Sequence, residues 1–248
     1  MKKVIKRVIE KLTGNYILNG LPTGVDVFYD LRACLPKFSA QLVFDVGANE
    51  GQSAAAFLRG FPRSKIYCFE PVSSTFKVLT ANFGGHQNIH CCQVALGSET
   101  GSRQIMLLGS SDNHSLAPLD EGPVANGPSA RESVRVETVT QFCKSQGIME
   151  INYLKIDTEG HDLQVLRGAE AMLADKKIDL IQVEAGMNRH NTKHVPLDVF
   201  MQYLEPMGYF IFRIYEQVSE TFTREPHLRR ANPVFVSKRI IDAHRLSL

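Results

Sequence analysis

Asp157, Glu159, His161 and Asp162 stand close together in the run Asp-Thr-Glu-Gly-His-Asp. Carboxylates beside an imidazole can move protons. Histidine titrates near neutrality, so His161 is the first candidate for a general base, with Asp157 and Glu159 as further catalytic candidates. The run follows INYLKI, an apolar stretch that reads as a buried strand. Asp157 therefore marks a strand end, where an acid is placed to meet a ligand, whereas Glu159 and Asp162 also suit the first turn of a helix, whose dipole favours negative charge. A second group lies downstream, where Glu184 closes the apolar IDLIQVE and is followed by His190 and His194. Four apart, these histidines would share a helical face and could hold a metal with Glu184. The intervening Asn-Thr-Lys and the following Val-Pro read instead as a loop, and no metal site is expected.

A different chemistry is written near the start of the chain. An apolar run ends in Asp45, turns through Gly47, Asn49 and Gly51, and continues as an alanine-rich helix. In an open α/β sheet such a strand–turn–helix unit is where ligands bind, and glycines let backbone approach a ligand closely. A dinucleotide turn would read G-x-G-x-x-G around a pyrophosphate. Here Asn49 stands at the second glycine, and Asp45 and Glu50 bracket the turn with negative charge. That sign disfavours NAD and favours S-adenosylmethionine, which carries a sulfonium and an amino group. Glu70 ends the next apolar run, where a carboxylate can accept both hydroxyls of a ribose.

The elements that must position these residues follow from periodicity. Strands are expected over 42–45, 65–70, 89–96, 151–157 and 178–184. Helices are expected over 52–58, from Ser73 or Ser74 as N-cap through Phe76 and Leu79, over 139–144, after Asp157 with Leu163, Leu166, Ala169 and Leu173 on one face, and over 197–204. YFIFRIYE and PVFVSK read as a closing antiparallel pair. Strand and helix alternate, which argues for a parallel sheet with crossover helices. Residues 98–131 interrupt the rhythm with a Gly/Ser/Pro/Asn-rich insertion holding one strand near 104–108, and its middle, 109–129, is expected to act as a lid.

Composition bounds the rest. The chain has 248 residues, 44% of them apolar and 22% charged, enough for a large core in one domain. A net charge of +2 with no tryptophan and no basic run interleaved with aromatics argues against a nucleic-acid partner. Five cysteines without CxxC spacing fit a reducing, cytoplasmic setting, with Cys68 a small hydrophobe in its strand. No apolar run is long enough for a transmembrane helix. The basic, amphipathic MKKVIKRVIEKL reads as a helix packed on the domain, a weak membrane-surface contact being the minority reading.

Taken together, FDVGANEGQS, FEP, VALGSETG, SSDNHSL and LKIDTEGHDLQVLRGA resemble the FkbM-type methyltransferases, in the right order from about Leu42 to Glu184. The resemblance implies a class I, Rossmann-like α/β fold, a seven-stranded mostly parallel sheet with one antiparallel strand and helices on both faces. Residues 1–40 would be a helical extension and 41–248 the methyltransferase domain. It implies S-adenosylmethionine as cofactor and a hydroxyl of a sugar, glycan or small molecule as acceptor. Carried onto this chain, Asp45, Gly47, Asn49 and Gly51 would line the methionine end, with Gln52 and Ser53 continuing the same motif. Glu70 would bind ribose with Pro71 beside it, Val94 and Ala95 would flank adenine, and Asp157 would face the transferring methyl. The rival readings are an NAD(P)-dependent oxidoreductase and a non-catalytic adapter that binds a partner through 98–131. The acid-bracketed turn opposes the first, and Asp157 with Glu70 opposes the second.

Overall fold

The computed structural model describes residues 20–107, 115–116, 130–220 and 225–246. The basic N-terminal helix expected from sequence lies outside them, as does all of the expected lid except Ser115 and Leu116.

After α1 (Val27–Cys34), the chain alternates β1 (Leu42–Val46), α2 (Gln52–Gly60), β2 (Lys65–Phe69), α3 (Ser73–Phe83) and β3 (Ile89–Cys92). A second run comprises α4 (Val139–Gln146), β8 (Ile151–Ile156), α5 (Asp162–Gly168), α6 (Glu170–Ala174) and β9 (Ile178–Gln182). It closes with the short β10 (Ala185–Gly186), α7 (Leu197–Leu204), β11 (Tyr209–Ser219), β12 (Leu228–Ser237) and α8 (Lys238–Arg245). The long strands lie in the order β11-β12-β9-β8-β1-β2-β3, with β12 antiparallel to both neighbours and β10 an extra two-residue pairing on β12. This is the class I methyltransferase sheet expected from sequence. Its order reverses between β1 and β8, so their carboxyl ends part there and leave a crevice.

Alternation along the central strands builds two cores. Phe44, Val46, Leu154 and Ile156 face α4 to α7, while Val43, Ile66 and Tyr153 face α1 to α3. Burial on both sides is why these strands read as continuous apolar runs.

The structure departs from the sequence reading in three places. The run 89–96 is not one strand. Val94 N donates to Cys92 O across a tight turn, and β4 (Ala95–Leu96) leaves the main sheet to pair with β7 (Ala130–Glu137). With β5 (Gly101–Leu107) and β6 (Ser115–Leu116), β4 and β7 make a second, four-stranded sheet, so both flanks of the insertion are strand. Ser73 and Ser74 do not cap α3. Val72 occupies the N-cap, and Ser73 instead hydrogen-bonds Glu132 of β7 through its backbone N and its hydroxyl. The helix after Asp157 is broken into α5 and α6 at Ala169, although Leu166, Ala169 and Leu173 all stay buried.

Candidate functional site

A cavity of 320 Å³ opens at the carboxyl ends of β1, β2 and β8. Its first wall is the β1–α2 turn. Asn49 adopts a left-handed φ of 48°, the backbone role a glycine has in the dinucleotide turn and one that asparagine tolerates. Gly47 has a φ of 76°, and a Cβ there would stand 1.9 Å from Asp157 O. It lines the cavity, but what its missing side chain admits is the end of β8. Gln52 and Ser53 begin α2 and also line the wall.

Glu70 follows β2 into the cavity and is 7% exposed. Its Oε2 accepts from Asn49 N at 3.2 Å and its Oε1 from Val72 N at 2.9 Å. Burial pushes the carboxyl up to about 7, against those two hydrogen bonds. Pro71, Val94 and Ala95 continue this wall, and Ile105 of β5 joins them. The turn that ends β3 is what delivers Val94 and Ala95 here.

Two of the expected cofactor residues lie behind the surface. Asp45 is fully buried and outside the cavity lining. Gly51 is buried too, and a Cβ there would stand 2.2 Å from the ring of Phe83, so its small size serves helix packing. Asp45 is paired in register with Lys155 of β8, whose Nζ lies 3.2 Å from Asp45 Oδ1 and 3.3 Å from Asp157 Oδ2. Set between two carboxylates, the Lys155 ammonium is held well above its ordinary value despite its own burial. The charge that was to repel a pyrophosphate is thus countered internally, and Glu50 is also absent from the lining. The turn does not itself exclude a dinucleotide.

The opposite wall carries Asp157 and Glu159. Glu159 has a left-handed φ of 55°, and its Oε2 lies 2.7 Å from Lys193 Nζ. Burial raises its pKa, with Lys193 opposing. Asp162, 1% exposed, accepts from Thr158 Oγ1 at 2.8 Å and from Glu184 N at 3.2 Å, tying the loop after β8 to the end of β9. Its role is to hold the loop. His161 is the N-cap residue of α5 and does not line the cavity; its backbone N donates to Thr158 O at 3.4 Å, and burial lowers the pKa of its ring. The first-choice base is therefore set away from the cavity by the helix start that it occupies.

Residues with little or no signal in the sequence complete this side of the site. Glu184 Oε2 lies 2.8 Å from His194 Nε2, and Glu184 Oε1 pairs with Arg230. His190 is exposed, its ring 6.3 Å from that of His227, and takes no part. Arg230 and Asn232 of β12 and Glu216 of β11 line the cavity beyond. Glu216, at φ 46°, lies where the register of the pair β11–β12 shifts between Tyr215 and Val218. Lys155 had a usable signal, a lysine inside an otherwise apolar strand. Arg230, Asn232 and Glu216 had none, since only the closing strand pair brings them to the crevice.

Among known proteins, the chain is 28% identical over 173 residues to Methyltransferase 1 of Beauveria bassiana, covering 63% of this chain and 67% of that one. It is 26% identical over 153 residues to the hexuronic acid methyltransferase AglP of Haloferax volcanii, over 59% of this chain and 57% of that one. With the 2-O-methyltransferase NoeI of Sinorhizobium fredii it shares 23% identity over 151 residues, 53% and 58% of the two chains. Among solved structures, M. capricolum TrmK in complex with S-adenosyl-homocysteine aligns with a TM-score of 0.47 at 11% identity, over 85% of this chain and 68% of that one. The methyltransferase FkbM domain matches residues 45–211; spanning well over half of the chain, the match shows that this protein belongs to the FkbM family of S-adenosylmethionine-dependent methyltransferases.

Proposed function

We propose that the protein transfers a methyl group from S-adenosylmethionine to a hydroxyl of a sugar, glycan or small-molecule acceptor. The observation that carries this reading is the division of one cavity into two unlike halves. Gly47, Asn49, Glu70, Val94 and Ala95 form a half suited to a nucleoside: a carboxylate at a strand end for the ribose and an apolar slot for the base. Asp157 stands at the junction. Glu159, Glu184, Arg230 and Asn232 form the other half, polar and charged as a hydroxylated acceptor requires. The names of AglP and NoeI, a hexuronic acid methyltransferase and a 2-O-methyltransferase, support the same acceptor class.

In this reading the acceptor oxygen attacks the methyl carbon in line with the departing sulfur. The C–S bond breaks with its electron pair on sulfur, S-adenosylhomocysteine forms, and the hydroxyl proton passes to the Glu159 carboxylate. Gly47, Asn49, Gln52 and Ser53 hold the methionine end, and Asp157 orients the methyl. Alignment of the two substrates supplies several kcal/mol of the barrier reduction. The test is transfer of isotope-labelled methyl from S-adenosylmethionine to a panel of uronic acids, neutral sugars and small alcohols. Labelled methyl ethers are the expected product. Labelling of amines or nucleic acid alone would overturn the assignment.

A further inference from the structure

We infer that Glu159, Glu184 and His194 form a binding site for a divalent transition-metal cation, against the expectation from sequence that no metal is held. The inference rests on the acceptor reading above and says how that half of the cavity engages an oxygen ligand. One atom from each of the three side chains lies within 4.8 Å of the other two. His194 is 6% exposed and Glu184 likewise 6%, so two of the three are firmly set in the protein.

The orientation of His194 points to a cation. Asn191 Nδ2 donates to Arg229 O at 2.8 Å, which turns Asn191 Oδ1 toward the next loop residues, where it accepts from Lys193 N and His194 N, each at 3.2 Å. That same oxygen lies 3.0 Å from His194 Nδ1, so Nδ1 carries the hydrogen. The other ring nitrogen, Nε2, then faces Glu184 Oε2 at 2.8 Å and Glu159 Oε2 at 3.7 Å. A cation seated between Nε2 and the two carboxylate oxygens would take a lone pair from each. An Nδ1–H fixed by a side-chain oxygen, with Nε2 free to ligate, is the usual arrangement around a metal-binding histidine.

A second observation lies across the strand pair. The register that pairs Gln182 with Val234 and Ala185 with Ala231 sets Glu184 opposite Asn232. Asn232 is 5% exposed and lines the same cavity; its Nδ2 donates to Glu216, and its Oδ1 has no hydrogen-bond partner among the described residues. It is a neutral oxygen donor at the strand position facing Glu184. One imidazole with oxygen donors suits Mn2+ or Zn2+ better than Mg2+ or Ca2+. Lys193 and Arg230 now neutralise the carboxylates, but their side chains are 34% and 33% exposed and can turn to solvent when the ion enters. The open side of the site faces the cavity, where an acceptor hydroxyl or carboxylate would complete the coordination.

The test is Mn2+ titration of chelator-treated full-length protein, with free Mn2+ followed by electron paramagnetic resonance and S-adenosylhomocysteine affinity measured in parallel. One Mn2+ per chain is expected. Glu159→Gln and His194→Ala should each weaken binding by on the order of 100-fold, while S-adenosylhomocysteine affinity, as the check on folding, stays unchanged. No stoichiometric site at millimolar Mn2+, or binding unaltered in both variants, overturns the inference. Mn2+ bound here by a protein that methylates no hydroxyl acceptor would uphold the site and refute the acceptor class instead.

Discussion

Lys155 Nζ lies 3.2 Å from Asp45 Oδ1, and the two residues face each other in register on the paired strands β8 and β1. Both are buried, Asp45 completely and Lys155 at 6% exposure. Lys155 compensates the buried Asp45, with Asp157 on its other side, and the pair pins the two strands at the point where the sheet reverses. Removing one partner leaves an uncompensated charge in the core. Lys155→Met should therefore cost about 3–5 kcal/mol of stability in urea unfolding. Asp45→Asn combined with Lys155→Met should recover most of that loss, because both charges are then gone. A double variant no better than the single one would show that the lysine stem, and not its charge, matters.

Glu70 should make cofactor affinity depend on pH. Its carboxyl is raised from an ordinary 4.5 to about 7, chiefly by burial, so the folded protein without cofactor holds this proton more tightly than the unfolded chain. The sign follows. This contribution favours the folded state fully below 4.5 and is lost as pH rises through about 7. Ribose hydroxyls donate to the ionised form, so S-adenosylhomocysteine should bind more tightly as pH rises toward 8 and should release a proton on binding at pH 6.5. Calorimetry in buffers of different ionisation enthalpy measures both. Glu70→Gln should abolish the proton release and weaken binding by about 1–3 kcal/mol.

Loss of His161 should matter little. Its ring is held at the start of α5, outside the cavity lining. His161→Ala is expected to lower turnover by less than about tenfold, under 1.4 kcal/mol of barrier. Glu159→Gln should lower it by on the order of 10²–10⁴-fold. Initial rates with one acceptor compare the two directly, and the reverse ranking would return the proton-transfer role to His161.

Gly47→Ala tests the contact between β1 and β8. A Cβ at Gly47 would stand 1.9 Å from Asp157 O at a φ of 76°, so the turn or the strand end must move. A cost of about 1–3 kcal/mol is expected, with weaker S-adenosylhomocysteine binding because both displaced segments line the cavity. Unchanged melting temperature and affinity would show that the turn absorbs a methyl group freely.

What was legible in the chain itself was whatever local pattern encodes. The buried strands announced themselves as apolar runs, the Asp45–Gly51 turn as punctuation between strand and helix, and Glu70 and Asp157 as acids ending strands. Those features persist because each depends on neighbours within a few residues. Even β7 was present as an alternation, with Val134 and Val136 buried beside the more exposed Arg135, but it sat at the edge of a polar insertion that masked it.

Tertiary structure decided which side of each element meets the cavity and which charges meet one another. Gly51 and Asp45 belong to the right motif yet face Phe83 and Lys155, because a strand–turn–helix unit exposes only part of its backbone to a ligand and packs the rest. His190 and His194 looked equivalent by spacing. The loop after β10 leaves the first exposed and carries the second to Glu184, the partner of Arg230 on β12. Charge pairing joins segments set apart along the chain, and only tertiary packing brings Glu159, Glu184 and Asn232 to one wall with His194 behind them.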